Sequence, residues 1–457
     1  MNHPIDRSRD AEYVQILPSP RQLALQETEF YAFVHFTVNA FTDREWGDGT
    51  ESPSIFNPTR MDARQWVRAV KAAGMRGLIL TCKHHDGFCL WPSKYTEHSV
   101  KNCPLAIDVV KEASDACRRG GIEFGFSLSP WDRNSRLYGT DAYNEYYKNQ
   151  LTELLTGYGE IFCVWLDGAC GEGPNGRKQV YDFPGIIELV RKYQPNATIF
   201  QDGGPDVRWI GNESGKARQS EWAVVPHELC KLSDRAQTGP GPWYVPGVNQ
   251  LDYLYNTQED IGGAEQIARS EGLNFCGAEV DMSIRPGWFY HENEEPYSVE
   301  RLMRAYLSSV GHNACFNLNI PPMPSGRFDP RDVKRLAEFG SALREAFGKD
   351  MAAGRPIVRT DRPAGNQCEF ALELGQTVDI RYIALREQIE KGQRVCEYRL
   401  SWRDADGCWS GEKYGTTIGH KQIVELAANG KPVRTDAVKL LITMARDRVE
   451  DVGISVY

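Results

Sequence analysis

From residue 30 to about 322, short apolar runs ending in polar or Gly-rich segments alternate with helical patterns. Beyond about 352 the chain offers short alternating segments with almost no helical periodicity. These two observations predict an α/β fold class: a (β/α)8-like (TIM-type) barrel in residues 1–350, then an all-β sandwich in 351–457. Size agrees, because 457 residues, 41% hydrophobic and 25% charged, can bury a full core and are long for one domain.

"FYAFVHFT" (30–37) reads as the first strand. "MDARQWVRAVKAAG" (61–74) follows as a helix with Trp66, Val67, Val70 and Ala73 on one face and Gly74 as its stop. "RGLILTCKH" (76–84) is the second strand, 105–121 a helix, and "IEFGFSLSP" (122–130) the third strand. A helix at 142–159 leads to "IFCVWLDG" (161–168), and one at 185–195 to "TIFQDGG" (198–204). "VRWIGNE" (207–213) and "LNFCGAEVDMSI" (273–284) supply strands six and seven, with an irregular stretch over 205–272. A helix at 300–312 precedes the eighth strand, "ACFNLNIPP" (314–322), and a last helix covers 332–347. "CEFALEL", "DIRYIALRE", "EYRLSW", "AVKLLITM" and "VGISVY" then read as sandwich strands.

Eleven Trp and twenty Tyr in a chain of mean hydropathy −0.50 place many rings beside polar groups, as in wet clefts. A formal charge of −9, a pI near 5.6 and the lack of any Lys/Arg run oppose a nucleic-acid or anionic-lipid partner. No stretch approaches the roughly 18 consecutive apolar residues of a membrane span. The start, "MNHPIDRSRDAEY", lacks the apolar stretch of a signal peptide. Most of the twelve cysteines, Cys82, Cys117, Cys163, Cys276 and Cys315 among them, lie in apolar patterns without CxxC spacing, so free buried thiols are expected. Nothing fixes the oligomeric state.

Polar residues gather where the strands end. Strand one ends in His35, with Glu45 and Trp46 in the next loop; strand two ends in His84-His85-Asp86-Gly87. Strand three approaches Trp131 and Asp132, and strand four ends in Asp167. All fall on the face where a barrel builds its active site. Neighbours on an extended strand project to opposite sides, so His84 and His85 share a metal ion only if the backbone bends sharply, and no HxxxH or HExxH supports such a site. A sugar asks for short donors and acceptors, an aromatic face and two carboxyl groups. The histidines and Glu45 can meet hydroxyls, Trp46, Trp131 and Trp288 can stack, and Asp167 with a second acid can do the chemistry. Taken alone, this fits a glycosidase of unnamed sugar. A glycosidase for another sugar with a similar hydroxyl arrangement, a non-catalytic carbohydrate-binding protein and a metal-dependent barrel hydrolase are the alternatives.

The stretches "HFTVNAFTDREWGDG", "CKHHDGFCLWPS", "VWLDGACGEG", "RWIGNESG" and "SIRPGWFYH", in this order, resemble the α-L-fucosidases of glycoside hydrolase family 29 across most of residues 24–350. "LSPWDR" and "GNESG" resemble the subfamily preferring α-1,3/1,4-linked fucose on branched, Lewis-type oligosaccharides, and the C-terminal region resembles that family's sandwich. The resemblance implies a fucosylated glycan as substrate and a retaining double displacement without metal or cofactor. Asp167 would be the nucleophile and Glu213 the acid/base. His35, Glu45, Trp46, His84 and His85 would bind the fucose hydroxyls, while Arg285 and Trp288 would close the pocket near the nucleophile and the methyl group. The family also implies export to a periplasmic or extracellular location. Glu279 and Asp281, at a strand end, rival Glu213, whereas Glu221 and Glu172 are expected as solvated loop acids.

Overall fold

The computed structural model describes residues 6–231, 260–362, 366–404, 406–426 and 431–457. Up to residue 320 the strands are β1 (Phe30–Val34), β2 (Gly77–Lys83), β3 (Glu123–Leu128), β4 (Cys163–Trp165), β5 (Thr198–Gln201), β6 (Val207–Trp209), β7 (Val224–Pro226), β8 (Leu273–Phe275), β9 (Gly277–Ser283) and β10 (Ala314–Asn319). All but β7 and β8 are parallel and close into a barrel, with β6 paired to β9 (Val207 opposite Gly277) and β10 to β1 (Phe316 opposite Phe30).

Three of the covering helices start where an aspartate caps them: Asp62 accepts from Gln65 N (3.0 Å), Asp108 from Lys111 N (2.9 Å) and Asp182 from Gly185 N (3.0 Å). Helix Ala63–Ala72 buries the expected Trp66, Val67 and Val70, and Gly74 beyond it takes the left-handed φ of 90° that ends a helix without strain. Period-two alternation sorts the strand residues. Phe30, Ala32 and Val34 pack under the helices, while Tyr31 and Phe33 point inward to Ile79, Trp165, Phe200 and Cys315. Helix Pro20–Thr28, absent from the sequence reading, brings Leu25 into that inner cluster.

Two features depart from simple alternation. Residues 202–206 join β5 to the parallel β6 without a helix. The run 273–284, read as one strand, divides at Cys276, whose N–H turns to Ala223 O (2.6 Å); its first half pairs antiparallel with β7 and its second enters the barrel. Residues 232–259 of the irregular stretch lie outside the described residues.

The C-terminal strands are β11 (Ile357–Asp361), β12 (Cys368–Ile380), β13 (Tyr382–Glu387), β14 (Val395–Arg403), β15 (Trp409–Gly415), β16 (Gln422–Glu425), β17 (Val433–Ala445) and β18 (Val452–Val456). They form a five-stranded sheet, β11-β12-β17-β14-β15, and a three-stranded one, β16-β13-β18. Phe370, Leu372, Leu385, Leu400, Leu440 and Ile454 fill the layer between them. The sandwich meets the barrel through Glu29, which pairs with Arg386 (2.8 Å) and Lys421. Burial pushes the Glu29 carboxyl up, but His420, Lys421 and Arg386 outweigh it and hold it far below the usual range. The eleven described cysteines are free thiols, nine of them buried. Among the described residues no helix is long and apolar enough to cross a membrane.

Candidate active site

The C-terminal ends of the barrel strands surround a cavity that opens to solvent. The end of β2 is bent. Its register with β3 slips between Thr81 and Lys83, Gly87 takes φ 78°, and Gly87 N–H bonds back to His84 O (3.0 Å). The bend brings both His84 and His85 to the cavity, with ring centroids 3.9 Å apart. The strand rule that would separate them no longer applies there. Asp86 fastens the bend by accepting from Phe88 N (2.7 Å) and the Thr37 hydroxyl (2.8 Å). Burial raises its carboxyl to about 7. Below it, fully buried Lys83 binds Asp132 (3.1 Å) and Gln150 (2.9 Å), tying the bend to the loop after β3 and to helix Asp141–Gly157. Among the described residues no group of three or more His, Cys, Asp or Glu side chains is arranged to hold a metal ion.

The hydrogen-bond partners decide what the imidazoles offer a ligand. Asn319 donates to Ser283 Oγ (2.9 Å) and Trp288 O (2.8 Å), so its Oδ1, 2.8 Å from His35 Nδ1, accepts there. Ser129 donates to Trp131 O (2.9 Å) and hence accepts from His85 Nδ1 (2.7 Å). Both rings therefore carry the proton on Nδ1 and keep Nε2 as an acceptor. Burial lowers His35 to about 4 and lowers His85 as well, although Asp167 opposes the latter shift. His84 is driven well below its ordinary value by burial and by the other two histidines. Such a wall is matched by a ligand rich in hydroxyl donors.

The carboxyl groups differ sharply in their surroundings. Asp167, just past β4, accepts from Ala169 N (2.7 Å), and its Oδ2 lies 3.8 Å from His85 Nε2. Glu213, on the loop after β6, keeps solvent contact at the mouth and accepts from Trp288 Nε1 (3.0 Å). Desolvation around its carboxyl, with smaller contributions from Asp167 and Glu45, raises it above the usual glutamate value despite that bond. Glu279 is fully buried inside the barrel, its oxygens taken by Trp165 Nε1 (2.8 Å), Asn317 Nδ2 (3.2 Å) and the Tyr31 hydroxyl. Asp281 lines the cavity but is 4% exposed and accepts from Trp209 Nε1 (2.8 Å); burial, Glu213 and Glu279 hold it well above normal.

The family model for α-L-fucosidases matches residues 21–346. The chain belongs to the α-L-fucosidase family, glycoside hydrolase family 29. It is 39% identical to α-L-fucosidase 1 of Arabidopsis thaliana over 460 residues, covering 94% of this chain and 85% of that one. A glycoside hydrolase 29 member from an unknown rumen bacterium is 35% identical with a TM-score of 0.80, covering 96% of this chain and 77% of its own. The Ruminococcus gnavus GH29 fucosidase E1_10125, solved in complex with fucose, is 27% identical with a TM-score of 0.81, covering 100% and 96%.

In this fucosidase the cavity brings together His35, Trp46, His84, His85, Asp167, Glu213 and Trp288 from the expected set. Trp46 is 58% exposed and stands nearly perpendicular to His85 and Trp131, with ring centroids 5.7 and 5.6 Å away. Trp131 stands one layer out, behind His85 (centroids 4.9 Å apart), with its Nε1 on Glu172 O (3.0 Å). Glu45 is also outside the lining. Its carboxylate accepts from Trp288 N (2.9 Å), Phe289 N (3.0 Å) and His291 Nε2 (2.8 Å), which clamps the loop carrying Trp288. Arg285 corrects the expectation of a pocket-closing cation: it is fully buried behind the cavity, bonded through Nε to both Asp332 oxygens (2.9 Å each). Glu221 is likewise no solvated acid, being buried between Arg208 and Arg218. Glu172 is exposed, as expected.

The sequence reading missed Asp202, which lines the cavity just past β5 and is raised to about 7 by burial and by Asp167. Its carboxyl packs on Gly168, where a Cβ would lie 2.1 Å from Oδ2. The signal was present, since "TIFQDGG" ends in an acid at a strand end just as "IFCVWLDG" does. Trp209, Trp165, Phe33 and Phe200 complete an apolar wall whose members read as ordinary strand residues.

Proposed function

We propose that this α-L-fucosidase removes α-1,3- and α-1,4-linked fucose from branched, Lewis-type oligosaccharides with net retention, Asp167 serving as nucleophile and Glu213 as acid/base. The contrast among the carboxyls carries the assignment. Glu213 is open to the mouth, beside Asp167, in surroundings that help it hold a proton, whereas Glu279 is consumed by the barrel wall and Asp281 is sealed beneath Trp209.

In the first step Asp167 attacks the anomeric carbon as Glu213 gives its proton to the departing oxygen, leaving a fucosyl ester and a Glu213 carboxylate. Forming the ester removes the Asp167 charge, which lowers the proton affinity of Glu213 only modestly because desolvation is the larger cause of its shift. Glu213 then takes a proton from water, which attacks the same carbon and frees Asp167. The Nε2 acceptors of His35 and His85 hold sugar hydroxyls, and Trp288 orients the acid through its indole N–H. The linkage preference rests on "LSPWDR" and "GNESG".

The test uses Asp167→Ala and Glu213→Ala. Asp167→Ala should abolish turnover with the fold intact. Glu213→Ala should slow the trisaccharide by about 10²–10⁴-fold, slow an activated aryl fucoside far less, and with azide yield α-fucosyl azide. Equal losses on both substrates sink Glu213 as the acid. β-Fucose as the first product in proton NMR sinks retention, and faster release from α-1,2-fucosylated lactose than from the Lewis-type trisaccharide sinks the linkage.

A further inference from the structure

One residue beyond Glu213 the surface changes sign. Ser214 begins a groove between the loop 214–219 and helix Val299–Ser309, and Lys216, Arg301 and Arg304 line it. The chain carries a net charge of −9, yet none of these three cations has a carboxylate within ion-pair distance among the described residues. Glu300, the neighbouring acid, is held by its own backbone N–H and by Ser298 at the start of the helix, and feels Arg304 only weakly.

The groove is built rather than loose. The Asn212 side chain closes the turn behind Glu213 by accepting from Ser214 N (3.0 Å) and donating to Lys216 O (2.9 Å). Ser308 then pins the far side of that loop, its hydroxyl donating to Gly215 O (2.7 Å) and its carbonyl accepting from Ala217 N (2.8 Å). Arg301 is stacked on Tyr297, with its guanidinium carbon 3.5 Å from the ring centroid, so its orientation is fixed while its charge stays unpaired.

The position matters because an acid/base touches the departing oxygen, so the leaving glycan departs on the Glu213 side. Lys216 lies three residues on, at most ~11 Å along the chain, within reach of a second or third sugar ring. The cavity walls carry Asp167, Asp202, Glu213 and Asp281 and no lysine or arginine, so the cavity offers an anion no counter-charge. A substrate with neutral fucose at one end and a negative substituent farther along fits both fields in one orientation only.

We propose that this groove is an anion subsite for the leaving glycan, taking a carboxylate- or sulfate-bearing sugar beyond the residue that carries fucose. The assignment rests on the linkage reading above and names the class of glycan that the site would favour.

The experiment measures kcat/KM of wild type and of the Arg301→Gln/Arg304→Gln double variant on an aryl fucoside, a neutral Lewis-type trisaccharide and its sialylated and sulfated counterparts, at low ionic strength and in about 0.5 M salt. The double variant should lose about 3- to 10-fold on the anionic substrates, stay within about 2-fold on the neutral two, and show no such contrast in high salt. A loss on only one anionic substrate identifies which anion the groove takes. Equal rates for variant and wild type on the anionic substrates, or equal losses on all four, overturn the assignment alone. Normal turnover of the aryl fucoside with no cleavage of any Lewis-type substrate overturns the linkage reading and the groove with it.

Discussion

Trp288→Phe keeps a ring against His35 but deletes the indole N–H that Glu213 accepts at 3.0 Å. That bond favours the charged carboxylate, so its loss raises the pKa of Glu213. A hydrogen bond to a charged group contributes about 1.5–3 kcal/mol in a buried setting. Glu213 keeps solvent contact, which discounts the figure to about 1 kcal/mol, or ~0.7 pH unit at 1.36 kcal/mol per unit. The proposed acid works protonated, so kcat/KM falls as pH rises through its pKa, and the variant should move that alkaline limb upward by about 0.5–1 unit. The assay is initial-rate fucose release from the trisaccharide, well below KM, from about pH 5 to 9. An aryl fucoside, whose leaving group needs less protonation, should show a flatter limb in both proteins. A trisaccharide limb that stays in place or moves to lower pH would refute the assignment of this limb to Glu213.

Arg285→Met leaves Asp332 buried without its partner and should cost about 3–5 kcal/mol in urea unfolding; a loss under 1 kcal/mol would mean that the pair does not hold the loop. Gly168→Ala drives a methyl to 2.1 Å from Asp202 Oδ2 and should cost about 1–3 kcal/mol while lowering kcat at least tenfold through displacement of the adjacent Asp167; wild-type kcat would argue against this coupling. Glu29 has a depressed folded pKa, so its stabilisation is present above its unfolded value of about 4.3 and is lost as pH falls through the folded one. Glu29→Gln should therefore lower Tm at neutral pH, with the gap to wild type closing below about pH 4, and a gap independent of pH would contradict the ion-pair account.

The barrel was legible because each strand ends at a polar residue and each long helix carries a buried stripe, as in Trp66, Val67 and Val70. The division of 273–284 was not, because apolar texture runs unbroken through Cys276 while the two halves serve different sheets. At the site, the polar residues at the ends of strands one, two and four were legible, as with His35, His84, His85 and Asp167, whereas Asp202, which follows β5 directly, was passed over. Arg285 and Glu45 were harder for one shared reason. A charged residue beside a cavity and one behind it look alike in sequence, and only the partners decide: both oxygens of Asp332 for the guanidinium, and two backbone N–H groups for the carboxylate. Family motifs mark such residues as parts of the site without saying whether they face the sugar.

The same partners explain how a crowded acidic pocket can still divide its work. If Asp167, Asp202, Glu213 and Asp281 were all ionised, their mutual repulsion would add to the cost of burying each one. Burial holds Asp202 and Asp281 toward the neutral form, so neither adds a full charge to the repulsion around Asp167, which accepts from Ala169 N–H. The neutral imidazoles follow the same economy, since a protonated His85 would pair with Asp167 and blunt its nucleophilicity, whereas an Nε2 acceptor leaves the carboxylate free and asks the ligand for a hydroxyl. Selection of a sugar and activation of the proposed nucleophile are thus one requirement, met by the Ser129 hydroxyl that fixes the His85 tautomer from behind.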